Sequence, residues 1–149
     1  MKRIAEEQLL AWKSAQRRKP LIIRGARQVG KTWLVDHVLA KKFENFVKID
    51  LEQRRDLHVH FSGNLEPRQI LSVLELASGR IIPGKTLLFF DEIQACPRAI
   101  TALRYFYEQL PELHVVAAGS MLEFAFDHIA APVGACVAAI CWRPIPRCT

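Results

Sequence analysis

Pro20-Leu21-Ile22-Ile23-Arg24-Gly25-Ala26-Arg27-Gln28-Val29-Gly30-Lys31-Thr32 is the stretch on which the fold turns. Its first half is a compact apolar run, too short for a buried helix and rich in β-formers, which predicts a central strand of a parallel sheet. Its second half fits G-x-x-x-x-G-K-[ST] in full, from Gly25 to Thr32. Glycines at both ends permit the turn and the close approach of backbone to a phosphate chain. Between them the N–H groups of Ala26, Arg27, Gln28 and Val29 point inward to cradle it. From Lys31 the chain reads as helix, with Leu34, Val35, Val38 and Leu39 at helical spacing, and its positive dipole end faces the same phosphates. Lys31 reaches the β- and γ-phosphates and the Thr32 hydroxyl coordinates Mg²⁺. The strand before and the helix after separate this loop from an ordinary glycine turn. The ligand expected is a nucleoside triphosphate with magnesium, ATP first among them.

Working outward, Phe46 to Asp50 reads as a second strand, and Arg54 to Gly79 as two helices, the later one with an apolar stripe of Ile70, Leu71, Leu74 and Leu76. Thr86-Leu87-Leu88-Phe89-Phe90 reads as a third strand ending in Asp91-Glu92. Pro97 suits a first helical turn, and Ile100, Leu103, Phe106, Tyr107 and Leu110 trace one face of a helix stopped by Pro111. Leu113 to Ala118 is a fourth strand closing at Gly119-Ser120. Strands alternating with helices predict a parallel sheet with right-handed crossovers, an α/β fold of three layers. Ile4, Leu9, Leu10 and Trp12 predict a short amphipathic helix ahead of it all.

Asp91 and Glu92 fall at the carboxyl end of a buried strand, where ligands of open α/β sheets bind. Asp91 is expected to hold magnesium through its water shell. Glu92 is expected to polarise the attacking water as general base. Small P-loop kinases of this length do not usually place a glutamate directly after this aspartate, and no arginine-bearing lid is evident, so hydrolysis fits better than transfer. If the fourth strand lies between the first and third, Ser120 stands beside the γ-phosphate. Ser120 is equally a helix N-cap that Glu123 would complete as a capping box. Asp50 and Glu52 read as a solvated strand end, Arg98 and Arg104 as surface arginines, and Trp12, Tyr105, Phe106 and Tyr107 as core or interface.

Length and composition bound the rest. The 149 residues, half of them apolar, suffice for one compact domain with a real core. No apolar run approaches the roughly 20 residues that cross a bilayer, and the start of the chain lacks a signal-peptide stretch, so a cytosolic protein is expected. The four cysteines form no C-x-x-C pair and read as free thiols. The net charge of +6 is uneven: residues 1–42 hold eleven basic and three acidic side chains. This end is a solvated helix plus a phosphate loop, or alternatively a surface for nucleic acid.

Three separated blocks bring a family into view. Pro20 to Thr32, Pro83-Gly84-Lys85-Thr86-Leu87-Leu88-Phe89-Phe90-Asp91-Glu92-Ile93-Gln94 and His114-Val115-Val116-Ala117-Ala118-Gly119-Ser120 together resemble prokaryotic AAA-type ATPases that carry a second, C-terminal domain of unknown function. The resemblance covers residues 1–134. It implies a P-loop NTPase core binding ATP, with Lys31 and Thr32 in the phosphate site, Asp91 and Glu92 at magnesium and water, and Ser120 at the sensor position of the fourth strand. A homo-oligomer or a protein partner is expected alongside ATP. Residues 135–149 depart from the pattern, with three of the four cysteines and no acidic residue. They look like a truncated or frameshifted tail that leaves the fifth strand incomplete and the helical lid missing. No trans-acting arginine finger matches, and such a residue is worth about 10³–10⁵ in turnover; binding is expected to survive that loss better than hydrolysis, and the alternative is a nucleotide-dependent interaction module without useful hydrolysis.

Overall fold

The computed structural model describes residues 2–16, 18–25, 30–120 and 138–141. Five parallel strands form one sheet: β1 (Leu21–Arg24), β2 (Asn45–Asp50), β3 (Thr86–Asp91), β4 (His114–Gly119) and β5 (Ala138–Cys141), in the order β2-β3-β4-β1-β5. The fourth strand lies between the first and third, which is the condition for Ser120 to stand at the same rim as the glycine loop. A four-residue segment of the tail pairs alongside β1, with Leu21 opposite Ala138 and Arg24 opposite Cys141.

Burial explains the sequence pattern. β3 and β4 are buried at every position, as strands covered on both faces must be, whereas the edge strand β2 alternates. Strand alternation then sorts the side chains into two cores. Leu21, Ile23, Leu87, Phe89, Val116 and Ala118 face α1 (Lys2–Ser14) and α2, which starts at Lys31–Leu34. Ile22, Leu88, Phe90, Val115 and Ala117 face α3 (Pro67–Ser78) and α4 (Pro97–Gln109). Phe90 packs edge-on against Phe61 and meets Phe106 of α4. Burying one such side chain fully is worth about 1.5–3 kcal/mol. The sheet is thus the middle of three layers. Among the described residues no helix is long and apolar enough to cross a membrane, and no helical lid covers the sheet.

Local structure departs from the sequence reading in three places. The first helix expected between Arg54 and Gly79 is a 3₁₀ segment, Arg55–Phe61. Of the four stripe residues expected in α3 only Ile70 and Leu74 are buried, and Leu76 is 91% exposed. Residue 76 lies six positions from Ile70, about 600° around the helix, and so falls off the stripe. After Leu34, α2 widens into a π turn, Val35–Leu39, and tightens into a 3₁₀ turn, Ala40–Lys42, which still buries Val35 and Leu39.

Below the sheet, at the amino end of β4, His114 is 7% exposed, edge-on to both Trp12 and Phe43. Trp12 is core, its indole N–H bonded to the Lys19 carbonyl. Burial, reinforced by the charges of Arg18 and Lys13, pushes the His114 pKa down to about 4. The unfolded chain therefore binds this proton near pH 6.5 and the folded chain only near 4. Stability is then complete above about pH 6.5 and falls as pH drops toward 4. Urea midpoints measured across that window should decline, and His114→Phe should flatten the decline. Parallel profiles for the two proteins would exclude His114 as the cause.

Candidate functional site

The carboxyl ends of β1, β3 and β4 converge on one rim of the sheet, because all three are parallel and adjacent through β4. The chain leaves β1 into α2 on one face and leaves β3 into α4 on the other, which opens a crevice between the two crossovers. Gly25, Gly30, Lys31, Thr32, Asp91, Glu92 and Ser120 all stand at this rim. Ala26, Arg27, Gln28 and Val29 lie outside the described residues.

Gly30 precedes the helix with φ 88°, a conformation that a side chain would strain. This turn delivers Lys31 into a site where it is 7% exposed, with Nζ donating to the Gly25 carbonyl at 2.8 Å. Next along the chain, the Thr32 hydroxyl donates to Asp91 Oδ2 at 2.9 Å. Asp91 shares the parity of Leu87 and Phe89 on β3 and so faces α2, which is why the two residues meet. Its other oxygen accepts the Glu92 N–H at 3.0 Å. Burial pushes the Asp91 carboxyl above its ordinary pKa, opposed by these two hydrogen bonds. A desolvated carboxylate beside a hydroxyl is a pair of hard oxygen donors, and that chemistry fits Mg²⁺, which takes few protein ligands and completes its shell with phosphate and water.

Ser120 is 2% exposed and follows Gly119, which is in register with Arg24. Ser120 is therefore level with Gly25, where the phosphate loop begins. Its alternative as an N-cap rests on Glu123, outside the described residues. Asp50 stands beside Asp91 in the β2–β3 register, but its Oδ1 accepts the backbone N–H groups of Glu52 and Gln53 and closes the strand-end turn. Arg98 donates to the carbonyls of Phe61 and Gly63, and Arg104 pairs with Glu108 at 3.0 Å. Two neighbours of the site went unassigned by sequence reasoning. Gln94 donates to Glu92 Oε2. Lys48, in register with Phe89, pairs with Asp36 of the π turn at 2.9 Å and adds positive charge near Asp91. The only sequence signal for Gln94 is its place two residues after the acid.

A parallel sheet of this order, with a glycine loop and a strand-end acid meeting at its rim, defines a P-loop ATPase of the AAA type. Residues 17–142 match the family model described as AAA domain, and the chain belongs to that family. The matched interval runs on past Gly134 and takes in β5. The fold is similar to that of the Aeropyrum pernix ORC1 protein, solved in complex with DNA, with TM-score 0.61 and 13% identity over 97% of this chain and 44% of that one. It is also similar to Caenorhabditis elegans PCH-2, with TM-score 0.50 and 15% identity over 97% and 43%. The chain thus spans less than half the length of either. No curated protein matches it significantly. The family is one of nucleotide-binding ATPase domains.

Lys31→Ala is expected to weaken ATP binding about 10–100-fold, the cost of losing one charge-assisted contact of about 1.5–3 kcal/mol. Titrating a fluorescent ATP analogue against both proteins checks it. Equal affinities would remove Lys31 from the phosphate site.

Proposed function

We propose that this chain binds ATP with Mg²⁺ and hydrolyses it slowly. The observation that supports this most is the Thr32–Asp91 hydrogen bond, which joins the phosphate loop to the acid at the end of β3. In this reading the loop from Gly25 to Thr32, with Ala26, Arg27, Gln28 and Val29 supplying N–H groups, holds the triphosphate, and Lys31 neutralises its β/γ oxygens. Thr32 and Asp91 hold Mg²⁺, which supplies charge neutralisation at the phosphates. Glu92 takes the proton of the attacking water, and Ser120, just past the end of the strand between β1 and β3, hydrogen-bonds the γ-phosphate or that water. The location that goes with this reading is the cytosol.

Arg98 and Arg104 are engaged within their own chain. In this reading a transition-state arginine is supplied by a partner, a second copy or another protein, and turnover by the isolated chain is low. Glu92→Gln keeps the shape of the base and removes its function. Nucleotide affinity should stay within a few-fold while single-turnover hydrolysis falls by about 10²–10⁴. A variant that hydrolyses ATP as fast as its parent would end the assignment of Glu92.

Residues 1–134 are proposed as the ATPase core and 135–149 as a segment outside its chemistry. β5 borders β1 on the side away from β3 and β4, which present Asp91 and Ser120. Deleting residues 136–149 should therefore lower the thermal midpoint, by exposing the edge of β1, and leave ATP affinity within a few-fold. A large loss of affinity would make this segment a working part of the site.

A further inference from the structure

The turn after β3 carries an amide that neither the phosphate loop nor the metal site uses. Glu92 leaves the strand in the left-handed region, φ 51° and ψ 48°, the one non-glycine residue with positive φ among those described. A 3₁₀ turn, Ile93–Ala95, follows at once, closed by the Ala95 N–H on the Glu92 carbonyl at 3.1 Å. This reversal folds the Gln94 side chain back onto the acid, and Gln94 Nε2 donates to Glu92 Oε2. Both side chains are half-buried. The other end of the amide, Oε1 of Gln94, is sealed from solvent and accepts no hydrogen bond among the described residues.

An amide kept only for packing would have both ends satisfied or be replaced by an apolar residue, since a buried acceptor without a donor costs about 1–3 kcal/mol. The end that is satisfied is the one on the carboxylate. A glutamate side chain has three rotatable bonds, and the backbone at residue 92 fixes none of them. One directional donor on Oε2 sets the plane of the carboxylate and leaves Oε1 of Glu92 free. A base acts only from within hydrogen-bond reach of its proton, so orientation of that free oxygen controls rate and not nucleotide affinity.

We propose that Gln94 is a positioning residue for hydrolysis, holding the Glu92 carboxylate so that its Oε1 faces the attacking water. This rests on Glu92 being the base, as read above. Gln94 acts through Glu92 and touches no reacting atom. The Gln94→Met variant keeps side-chain length and removes the donor, and Gln94→Glu keeps the shape and sets a second carboxylate against Glu92.

The experiment is a double-mutant cycle in single-turnover ATP hydrolysis at saturating nucleotide, with affinity for a fluorescent ATP analogue and thermal midpoints measured alongside. Gln94→Met and Gln94→Glu should each slow hydrolysis by about 10–100-fold, the range set by misplacement of a catalytic group, with affinity within twofold of the parent. In the Glu92→Gln background Gln94→Met should have no further effect. Without nucleotide, one Gln94 side-chain amide proton should resonate downfield in the parent and return to the ordinary range in Glu92→Leu. Unchanged hydrolysis in Gln94→Met, or effects that multiply in the double variant, would overturn the positioning role. Equal rates for the parent and Glu92→Gln would overturn the base assignment and this role with it. An amide resonance that ignores Glu92→Leu would overturn the hydrogen bond itself.

Discussion

The hydrogen bond from Thr32 to Asp91 ties together two segments 59 residues apart, and the site exists because that distance is closed. Everything that closes it is ordinary α/β packing. β1 and β3 flank β4, α2 lies over the face that carries Leu87 and Phe89, and Asp91 shares that face by parity. A one-residue slip of β3 would turn Asp91 toward α3 and α4 and bring Phe90 to α2. The apolar cores on both faces forbid the slip, so the packing that stabilises the sheet also fixes the register of the chemistry.

The rim holds a buried ammonium and a buried carboxyl, with water removed from both. Lys31 and Asp91 are each buried beyond nine-tenths, and the desolvated carboxyl titrates above its ordinary range. Such groups are costly to hold in a ligand-free protein and gain most when a polyanion and a cation arrive together. The amino end of β4 shows the same physics with no ligand to relieve it, in the buried and reluctantly protonated His114.

Most of this was legible in the sequence because it depends on period and order. Continuous apolar runs marked β3 and β4, the glycine spacing marked the loop, and the order of strand and acid put Asp91 at the carboxyl end of the sheet. What escaped reading depends on contacts made around corners. Leu76 belongs to an apolar-looking run but points away from the sheet, since counting leucines does not fix their angle about the axis. The π turn of α2 leaves the spacing of Leu34, Val35 and Leu39 unchanged and so leaves no trace. The contact of Gln94 with Glu92 arises from a backbone angle at Glu92 that no residue pattern announces.

The angle at Glu92 also sets fold and chemistry against each other at a single position. Glycine, and to a lesser degree asparagine, occupies that backbone region with less strain than glutamate does. Relief of such strain is worth of order 1 kcal/mol. Selection on thermal stability alone would therefore drift away from the acid here, while selection on turnover, under the role proposed for Glu92, holds it in place. Residue 92 is in that sense a gauge of use. A descendant of this domain kept only as a nucleotide-bound scaffold would be free to become more stable by giving up this one carboxylate.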